Sequence, residues 1–545
     1  MAECKERLMA DLRKTGFPVS SDAVGCISRS TQGGGEERGR NRCPLVLFRR
    51  GCARHSRSGL SHTFRRGIGR AATRGLELER LTKVPEMRSV AKLIRELGRI
   101  VGDAHVLTSG MGAYLSDEAE TSGLRGRTEA VVLPATAAEV ADVLACCYEL
   151  DVPVTPRGGG TGYAGGAVPI DGGVVLSLER VNRIRTFDPL LWRIEVEAGV
   201  RTSEVRRIAR ENGLLFPPDP GAAESSQIGG NIATNAGGPH AFKYGVTGVW
   251  VSGIEAVVPP GDLITVGGPI RKDVAGYDLK SLMTGSEGTL GIVTAAWLKL
   301  IPAPEEMLPV AAFYRNVADG CGAIEAVLGN GIQAAALEFL DEAALRAASA
   351  GFLGGVPADG RFLVLAEADG SASEAARVQR ELRDVLGDGA VSIRAPGGGS
   401  EVAALWRWRE GVSGAVTAQR GGKVSEDIVV PVDRLGEAIE RTLAIGSRHG
   451  LTACSWGHAG DGNVHSTFML DASDPAQLAQ AHDAAHDLFS LALELGGSVS
   501  GEHGIGVLKR GQLRRQWAPR AVELHRAIKS AFDPKGLLNP GKKEP

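Results

Sequence analysis

Between Pro156 and Pro169 the chain reads Pro-Arg-Gly-Gly-Gly-Thr-Gly-Tyr-Ala-Gly-Gly-Ala-Val-Pro. This stretch is dominated by glycine, so something must approach its backbone closely. Without Cβ atoms, successive N–H groups can turn onto one concave face, a nest suited to phosphate oxygens. The loop lacks the Gly-Lys-Ser/Thr ending of a Walker loop, and it is not read as a Rossmann fingerprint. It fits a pyrophosphate held by neither of those devices.

At 545 residues the chain exceeds a single core and fits about three domains at most. Glycine supplies 74 residues with no period, so the excess belongs to turns and binding loops. No apolar run approaches the roughly 18 residues that cross a bilayer, so membrane contact is at most peripheral. The expected location is the cytoplasm, with or without attachment at the inner face of a membrane. Residues 1–86 carry 18 Lys and Arg against nine Asp and Glu, whereas the rest carries 44 against 55. That head could serve as a basic arm for nucleic acid or as a transit peptide, but Glu3, Glu6 and Asp11 argue against the latter. It reads better as a disordered, dispensable leader with the folded protein starting at Met87, and no nucleic-acid partner is expected. Four of the eight cysteines lie in the leader; Cys146, Cys147, Cys321 and Cys454 have no iron–sulfur spacing.

The periodicity predicts a strand at 131–133, a helix to Leu150 opened by a Thr136/Glu139 capping box, and a strand at 152–155 feeding the glycine loop. Strands follow at 173–179 and 194–200, then a helix capped by Thr202 and closed by Gly213. Two further small-residue blocks come next: Pro217 to Gly238, with Asn231, Thr234 and Asn235, and Gly285 to Thr294, which opens a strand ended by Pro302 and Pro304. A domain boundary is expected there, dividing 87–304 from 305–545. The second part alternates short strands with polar-faced helices at 373–386, 432–449 and 475–495, an antiparallel sheet with helices on one side. The fold class is α+β.

Two motifs in the second part carry chemistry: Gly457-His-Ala-Gly-Asp-Gly-Asn-Val-His465 and Ser500-Gly-Glu-His-Gly504. Two strand ends joined by the glycine turn can bring His458 and His465 to one point, and Glu502 can complete a His, His, carboxylate set for zinc or a similar divalent ion. In a glycine-flanked turn His503 can face the same cavity. Arg409, in Trp406-Arg-Trp-Arg-Glu410, has a planar fork matched to a substrate carboxylate.

In their order, the blocks at Pro156, Pro217 and Gly285 resemble the FAD-binding domain of the vanillyl-alcohol oxidase / p-cresol methylhydroxylase family. The two histidine motifs and the terminal Leu-Asn-Pro-Gly-Lys are similar to its D-2-hydroxy-acid dehydrogenase branch, over roughly residues 95 to 542. The resemblance implies FAD contacts at Pro156, Arg157, Gly158, Gly159, Gly160, Thr161, Gly162 and Gly165 in the first block. In the second it implies Pro218, Asp219, Gly229, Gly230, Asn231, Thr234, Asn235, Gly237 and Gly238, with Tyr244 and Gly245 beyond them. Glu287, Gly288, Gly291, Ile292, Val293 and the tail residue Asn539 complete the set. Because no histidine stands in the first loop, the flavin is expected to be non-covalent.

The resemblance further implies metal ligands at His458, His465 and Glu502, an active-site base at His503, a carboxylate anchor at Arg409 and a substrate neighbour at Asn463. The implied reaction is oxidation of a small D-2-hydroxy acid, glycolate or D-lactate, with electrons leaving to a quinone, a cytochrome or an iron–sulfur subunit; the alternative is a flavin oxidase of an alcohol or sugar using oxygen. A homodimer is also an open expectation. Where 2-hydroxyglutarate enzymes resemble Tyr-Lys-Tyr-Asp, this chain has Val424-Ser-Glu-Asp427, so a lysine contact to a second carboxylate is expected to be missing.

Overall fold

The computed structural model describes residues 87–545; the leader expectation concerns residues outside that range. The first strand–helix–strand unit forms because Val131, Val132 and Val154 alternate with an amphipathic helix, Ala137–Glu149, opened as expected. Thr136 accepts from the Glu139 N–H at 3.1 Å, while the Glu139 carboxylate accepts from the Ala135 N–H at 2.8 Å. Strands Ala130–Val132, Val174–Ser177 and Val154–Arg157 pair in parallel, with Val106–Leu107 antiparallel at the edge. The buried Cys147 packs with Val143 and Leu144 against helix Met87–Val101, as a small apolar residue would.

A five-stranded antiparallel sheet follows, in the order Ile184–Asp188, Arg193–Glu197, Ile292–Lys299, Val251–Val258, Asp262–Gly267. Thr202 does not cap its helix. Arg201 holds the cap position of Thr202–Glu211, and the Thr202 hydroxyl instead meets the Ser226 hydroxyl at 2.8 Å and accepts from the Asn231 amide at 2.6 Å. Those partners lie in the second glycine-rich block, so the hydroxyl binds that block to the helix rather than ending the helix.

After Lys299 the chain leaves this sheet and at Glu306 enters a seven-stranded antiparallel one. Its order is Ser392–Arg394, Glu306–Tyr314, Phe362–Gly370, Ala336–Leu340, Thr452–His458, Asn463–Leu470, Gly422–Val429. Helices cover both faces, not one. Val310, Ala312, Phe339, Val364 and Phe468 face helices Val317–Gly329, Ala372–Gly387, Leu435–Arg448 and Pro475–Glu494. Ala311, Phe313, Leu340 and Leu365 point the other way, into a core with Leu345, Leu405 and Val416. Strands buried on both faces are apolar at both parities, as Glu306–Tyr314 is beyond its first residues. On this second face the apolar core gives way to Glu338, Glu367, His458, His465 and Lys423, so one side of one sheet carries most of the polar chemistry.

Candidate active site

The three glycine-rich blocks and the polar end of that sheet face enclose a cavity of about 650 Å³. Small-molecule and cofactor sites run to roughly 300–1,000 Å³. A Cβ on Gly159 would come within 2.3 Å of the Ser225 carbonyl oxygen, and one on Gly160 within 2.1 Å of the Arg157 guanidinium. Glycine at 159 is thus required because the first block lies on the backbone of the second. Arg157 braces the loop from behind, donating to the carbonyls of Ser116 at 2.7 Å and Ala113 at 2.9 Å. On the cavity wall, the Gln227 Oε1 is buried with no hydrogen-bond partner, and a buried acceptor left so costs ~1–3 kcal/mol. A side-chain-free cradle with an acceptor awaiting a donor fits a dinucleotide.

Most residues expected to touch the cofactor line this cavity: Pro156 through Gly162, Asp219, Gly229, Gly230, Asn231, Thr234, Gly237, Gly238, Glu287, Gly288, Gly291, Ile292 and Val293. Gly165, Pro218, Asn235, Tyr244, Gly245 and Asn539 stand behind the lining. Asn539 donates to the carbonyls of Glu287 at 2.7 Å and Gly166 at 2.9 Å, joining the tail to two of the blocks. The Tyr244 hydroxyl donates to Asp369. His240 also lines the cavity, but both ring nitrogens are engaged, Nδ1 with Asp219 at 2.5 Å and Nε2 with Glu367 at 2.8 Å. Burial disfavours the charged ring, yet the two carboxylates outweigh it and hold the His240 pKa well above its ordinary value.

The two motifs of the second part converge on the same cavity. His458 ends one strand and His465 lies on the next; ligand atoms of His458, His465 and Glu502 fall within 4.8 Å of one another. The Nε2 atoms of His458 and His465 lie 3.6 and 3.4 Å from Glu502 Oε1. Glu338, directly across the ladder from His458, takes its Nδ1 at 2.6 Å and so turns Nε2 toward Glu502. A carboxylate behind a histidine ligand is the usual means of fixing tautomer and ring orientation. Without an ion, burial alone would lower the His458 pKa, but Glu338 and Glu502 raise it to about 10; burial drives His465 down to about 3. Burial would raise the Glu502 pKa, but His458 and the neighbouring rings bring it to about 2.

His503 stacks between Tyr163 and His465, with ring centroids 4.8 and 5.3 Å away. Its Nδ1 faces Asp427 Oδ1 at 3.5 Å. Asp427, opposite His465 in the ladder, is fully buried and gathers the N–H groups of Gly501, Glu502 and His503 at 2.6, 2.6 and 3.1 Å, together with the Lys509 ammonium. Burial opposes its ionisation, yet Lys509 and His503 hold the carboxyl well below the usual range. Arg409 is buried on the cavity wall and forms an ion pair with Glu338 at 2.6 Å. Asn463, paired with His458 in the ladder, is not among the residues lining the cavity, and its amide donates to the Ile428 carbonyl at 3.1 Å, close to Gly501.

Residues 128–267 match the model of an FAD binding domain, and residues 303–543 that of the FAD linked oxidases, C-terminal domain. The chain is 35% identical over 455 residues to the glycolate oxidase subunit GlcD of Bacillus subtilis, covering 83% of this chain and 97% of that one. The chain belongs to the FAD-linked oxidases. A D-lactate dehydrogenase of Anaerostipes hadrus is 34% identical over 443 residues, covering 79% of this chain and 92% of the relative. The fold is shared with 4-ethylphenol oxidase from Gulosibacter chungangensis (TM-score 0.71, 20% identity, 85% of this chain and 98% of that one). It is shared also with p-cresol methylhydroxylase (TM-score 0.69, 18% identity, 84% and 98%). This FAD-linked oxidoreductase therefore has the α+β fold expected from its strand and helix pattern and the FAD cofactor that the resemblance implied.

Four residues of the site were not expected from the sequence: Glu338, Asp427, Tyr163 and Lys423. Tyr163 lies inside the glycine loop, where its ring beside six glycines was the available signal. Glu338 sits in an apolar strand, Asp427 and Lys423 in a mixed one, and all three become neighbours of the histidines only through strand order. Among the described residues no helix is long and apolar enough to cross a membrane.

Proposed function

We propose that the protein oxidises a small D-2-hydroxy acid, glycolate or D-lactate, to the 2-oxo acid, with a divalent ion, zinc by ligand type, at His458, His465 and Glu502. The observation that carries this reading is the shared cavity: glycine cradle, His, His, Glu set and His503 open into one space. The names of the relatives support the substrate class. Non-covalent FAD, when bound, supplies the hydride acceptor, and the ion supplies a Lewis acid for the α-hydroxyl.

The chain's own residues do the rest. Asp427 Oδ1, 3.5 Å from His503 Nδ1, favours the proton on that nitrogen, so Nε2, 3.8 Å from Glu502 Oε1, is the atom that would take the hydroxyl proton as the Cα–H bond breaks and the hydride leaves to the flavin. Glu338 turns His458 Nε2 toward Glu502, where the ion would be held, and Arg409, paired with the same carboxylate on the cavity wall, would take the substrate carboxylate. Electrons then pass to a quinone, a cytochrome or an iron–sulfur subunit, since the four cysteines of the described residues are dispersed. The FAD-binding part spans 87–304 and the substrate part 305–545, with 1–86 dispensable.

The test is anaerobic bleaching of the flavin spectrum by D- and L-hydroxy acids. Glycolate or D-lactate should bleach it and L-lactate should not; bleaching only by alcohols or sugars would overturn the reading.

A further inference from the structure

The most exposed large apolar side chains among the described residues lie together, at the end of the five-stranded sheet remote from the cavity. Strand Ile292–Lys299 starts at the cavity, where Ile292 and Val293 line the wall, and carries Lys299 to its other end, roughly 23 Å away at the usual rise. Two segments meet on that far rim: the turn 188–193, which joins neighbouring strands, and the loop 268–278, which follows strand Asp262–Gly267. The Arg193 guanidinium donates to the Pro269 carbonyl at 2.9 Å and that of Arg271 to the Leu191 carbonyl at 3.4 Å, and Arg271 lies 5.1 Å over the Trp192 ring. On these segments Tyr277, Leu190 and Val274 are 97, 89 and 86% exposed, with Leu191, Trp192 and Ile270 also in solvent. The fold buries its apolar residues elsewhere, so a cluster of solvated tips marks a surface that binds something. Trp192 is held there at φ +52°, a left-handed backbone that a bulky residue rarely adopts.

The charges around the tips say what kind of surface fits. Segments 188–193 and 269–280, with Lys299, carry Arg193, Arg271, Lys272, Lys280 and Lys299 against Asp188, Asp273 and Asp278. The carboxylates are engaged within the rim: Asp188 with Arg193 at 3.1 Å, Asp278 with Lys280 at 3.5 Å, and Asp273 with the Ala275 N–H at 3.0 Å. Among the described residues no carboxylate forms an ion pair with Arg271, Lys272 or Lys299. Burial lowers the Lys299 pKa, and Lys280 and Arg271 lower it further, so these cations crowd one another. A rim with excess positive charge is complementary to an anionic surface. The apolar groups stand at the tips of separate turns with charges between them, as in Ile270-Arg-Lys-Asp-Val274, and form no continuous face. Such tips enter a fluid apolar phase one by one, whereas a folded partner would have to supply a matching pocket for each. Trp192 and Tyr277 pair an apolar body with a polar edge, the type that collects at the headgroup level of a bilayer, where Arg and Lys meet lipid phosphates.

We propose that this rim docks the protein on an anionic lipid surface, with Leu190, Val274 and Tyr277 entering the headgroup layer and Arg271, Lys272, Lys280 and Lys299 facing lipid phosphates. The proposal is independent of the reaction in the cavity. Its test is co-sedimentation of the flavin-loaded full chain with vesicles of pure phosphatidylcholine and of an equal mixture of phosphatidylcholine and phosphatidylglycerol. The wild type should pellet with the anionic vesicles, far less with the neutral ones, and be released by rising salt. Leu190→Ser combined with Tyr277→Ser should weaken binding by about 100-fold, for two large side chains withheld from the apolar phase. Lys272→Gln combined with Lys280→Gln should weaken it by about 30-fold, for two cations removed from the surface. Flavin content should not change in either, because the rim and the cavity lie at opposite ends of the sheet. A wild type that ignores the anionic vesicles would overturn the proposal. So would binding undiminished in both double variants, which would assign it to the arginine-rich residues 1–86. If the variants instead change the oligomeric state measured by light scattering without vesicles, the rim is a contact between protein chains and the lipid reading fails.

Discussion

Glu338→Gln isolates the carboxylate on which the histidine site is hung. Glu338 is fully buried, and its two oxygens meet His458 Nδ1 and Arg409, each at 2.6 Å. The amide keeps the shape but removes the charge, and its NH2 must face one of two donors. Removing one partner of a buried pair costs about 3–5 kcal/mol because the other charge is left uncompensated. Here two cations lose the same partner, so the upper end of that range is expected unless His458 sheds its proton. Loss of the carboxylate behind a histidine ligand should also weaken metal binding by about 10- to 100-fold. The checks are denaturant unfolding of wild type and variant, followed by zinc titration of metal-stripped protein with a competing chelator. The FAD cradle lies in other elements, so flavin content should fall far less than zinc affinity. A variant of wild-type stability that also binds zinc as tightly would refute the assignment of Glu338 as the group that orients His458.

His465→Ala should lose the ion and activity together while retaining flavin absorbance, whereas His503→Ala should keep the ion and lose roughly a hundred- to ten-thousand-fold in rate; metal analysis separates the two roles, and the reverse pattern would exchange them. Gly159→Leu should abolish flavin retention, because its Cβ would meet the Ser225 carbonyl at 2.3 Å and part the two blocks; a yellow variant would contradict this. A chain starting at Met87 should keep flavin and activity, and an insoluble product would assign the leader to the fold. In metal-free protein, Glu502 has a folded pKa lowered to about 2 from an ordinary 4.5. Its contribution to stability is present above pH 4.5 and lost as the pH falls toward 2, so Glu502→Gln should flatten the wild-type stability profile in that window.

The parts of the fold readable in the sequence were those written locally. The capping box at Thr136 and Glu139 lies within four residues, and the glycine blocks advertise close backbone approach by composition. His458, His465 and Glu502 were legible because two tight glycine turns leave those side chains little choice but one cavity. Glu338 and Asp427 were not. Glu338 is a single carboxylate in an otherwise apolar strand and Asp427 one of two adjacent carboxylates in a mixed one, and such residues ordinarily face solvent; only the ladder sets Glu338 opposite His458 and Asp427 opposite His465. The two-faced cover of the large sheet was hidden for a related reason. Alternation is lost when both faces are buried, and the run through Val310 to Tyr314 then says nothing about how many layers surround it.

Glu287 shows how the two halves of the chain work as one site. It was expected to contact the cofactor, and it does line the cavity, with its backbone held at φ +55° between Gly285 and Gly288. Its carboxylate is directed elsewhere: it accepts from the N–H groups of Ile505 at 2.8 Å and Gly506 at 2.6 Å and pairs with Lys543 at 3.2 Å. Those two amides immediately follow the segment that carries Glu502 and His503. The third glycine-rich block therefore forms cavity wall on one side and holds the segment carrying Glu502 and His503 on the other. The cavity therefore belongs to neither side of residue 304 alone: Glu287 ties the glycine-rich wall to the loop that presents His503.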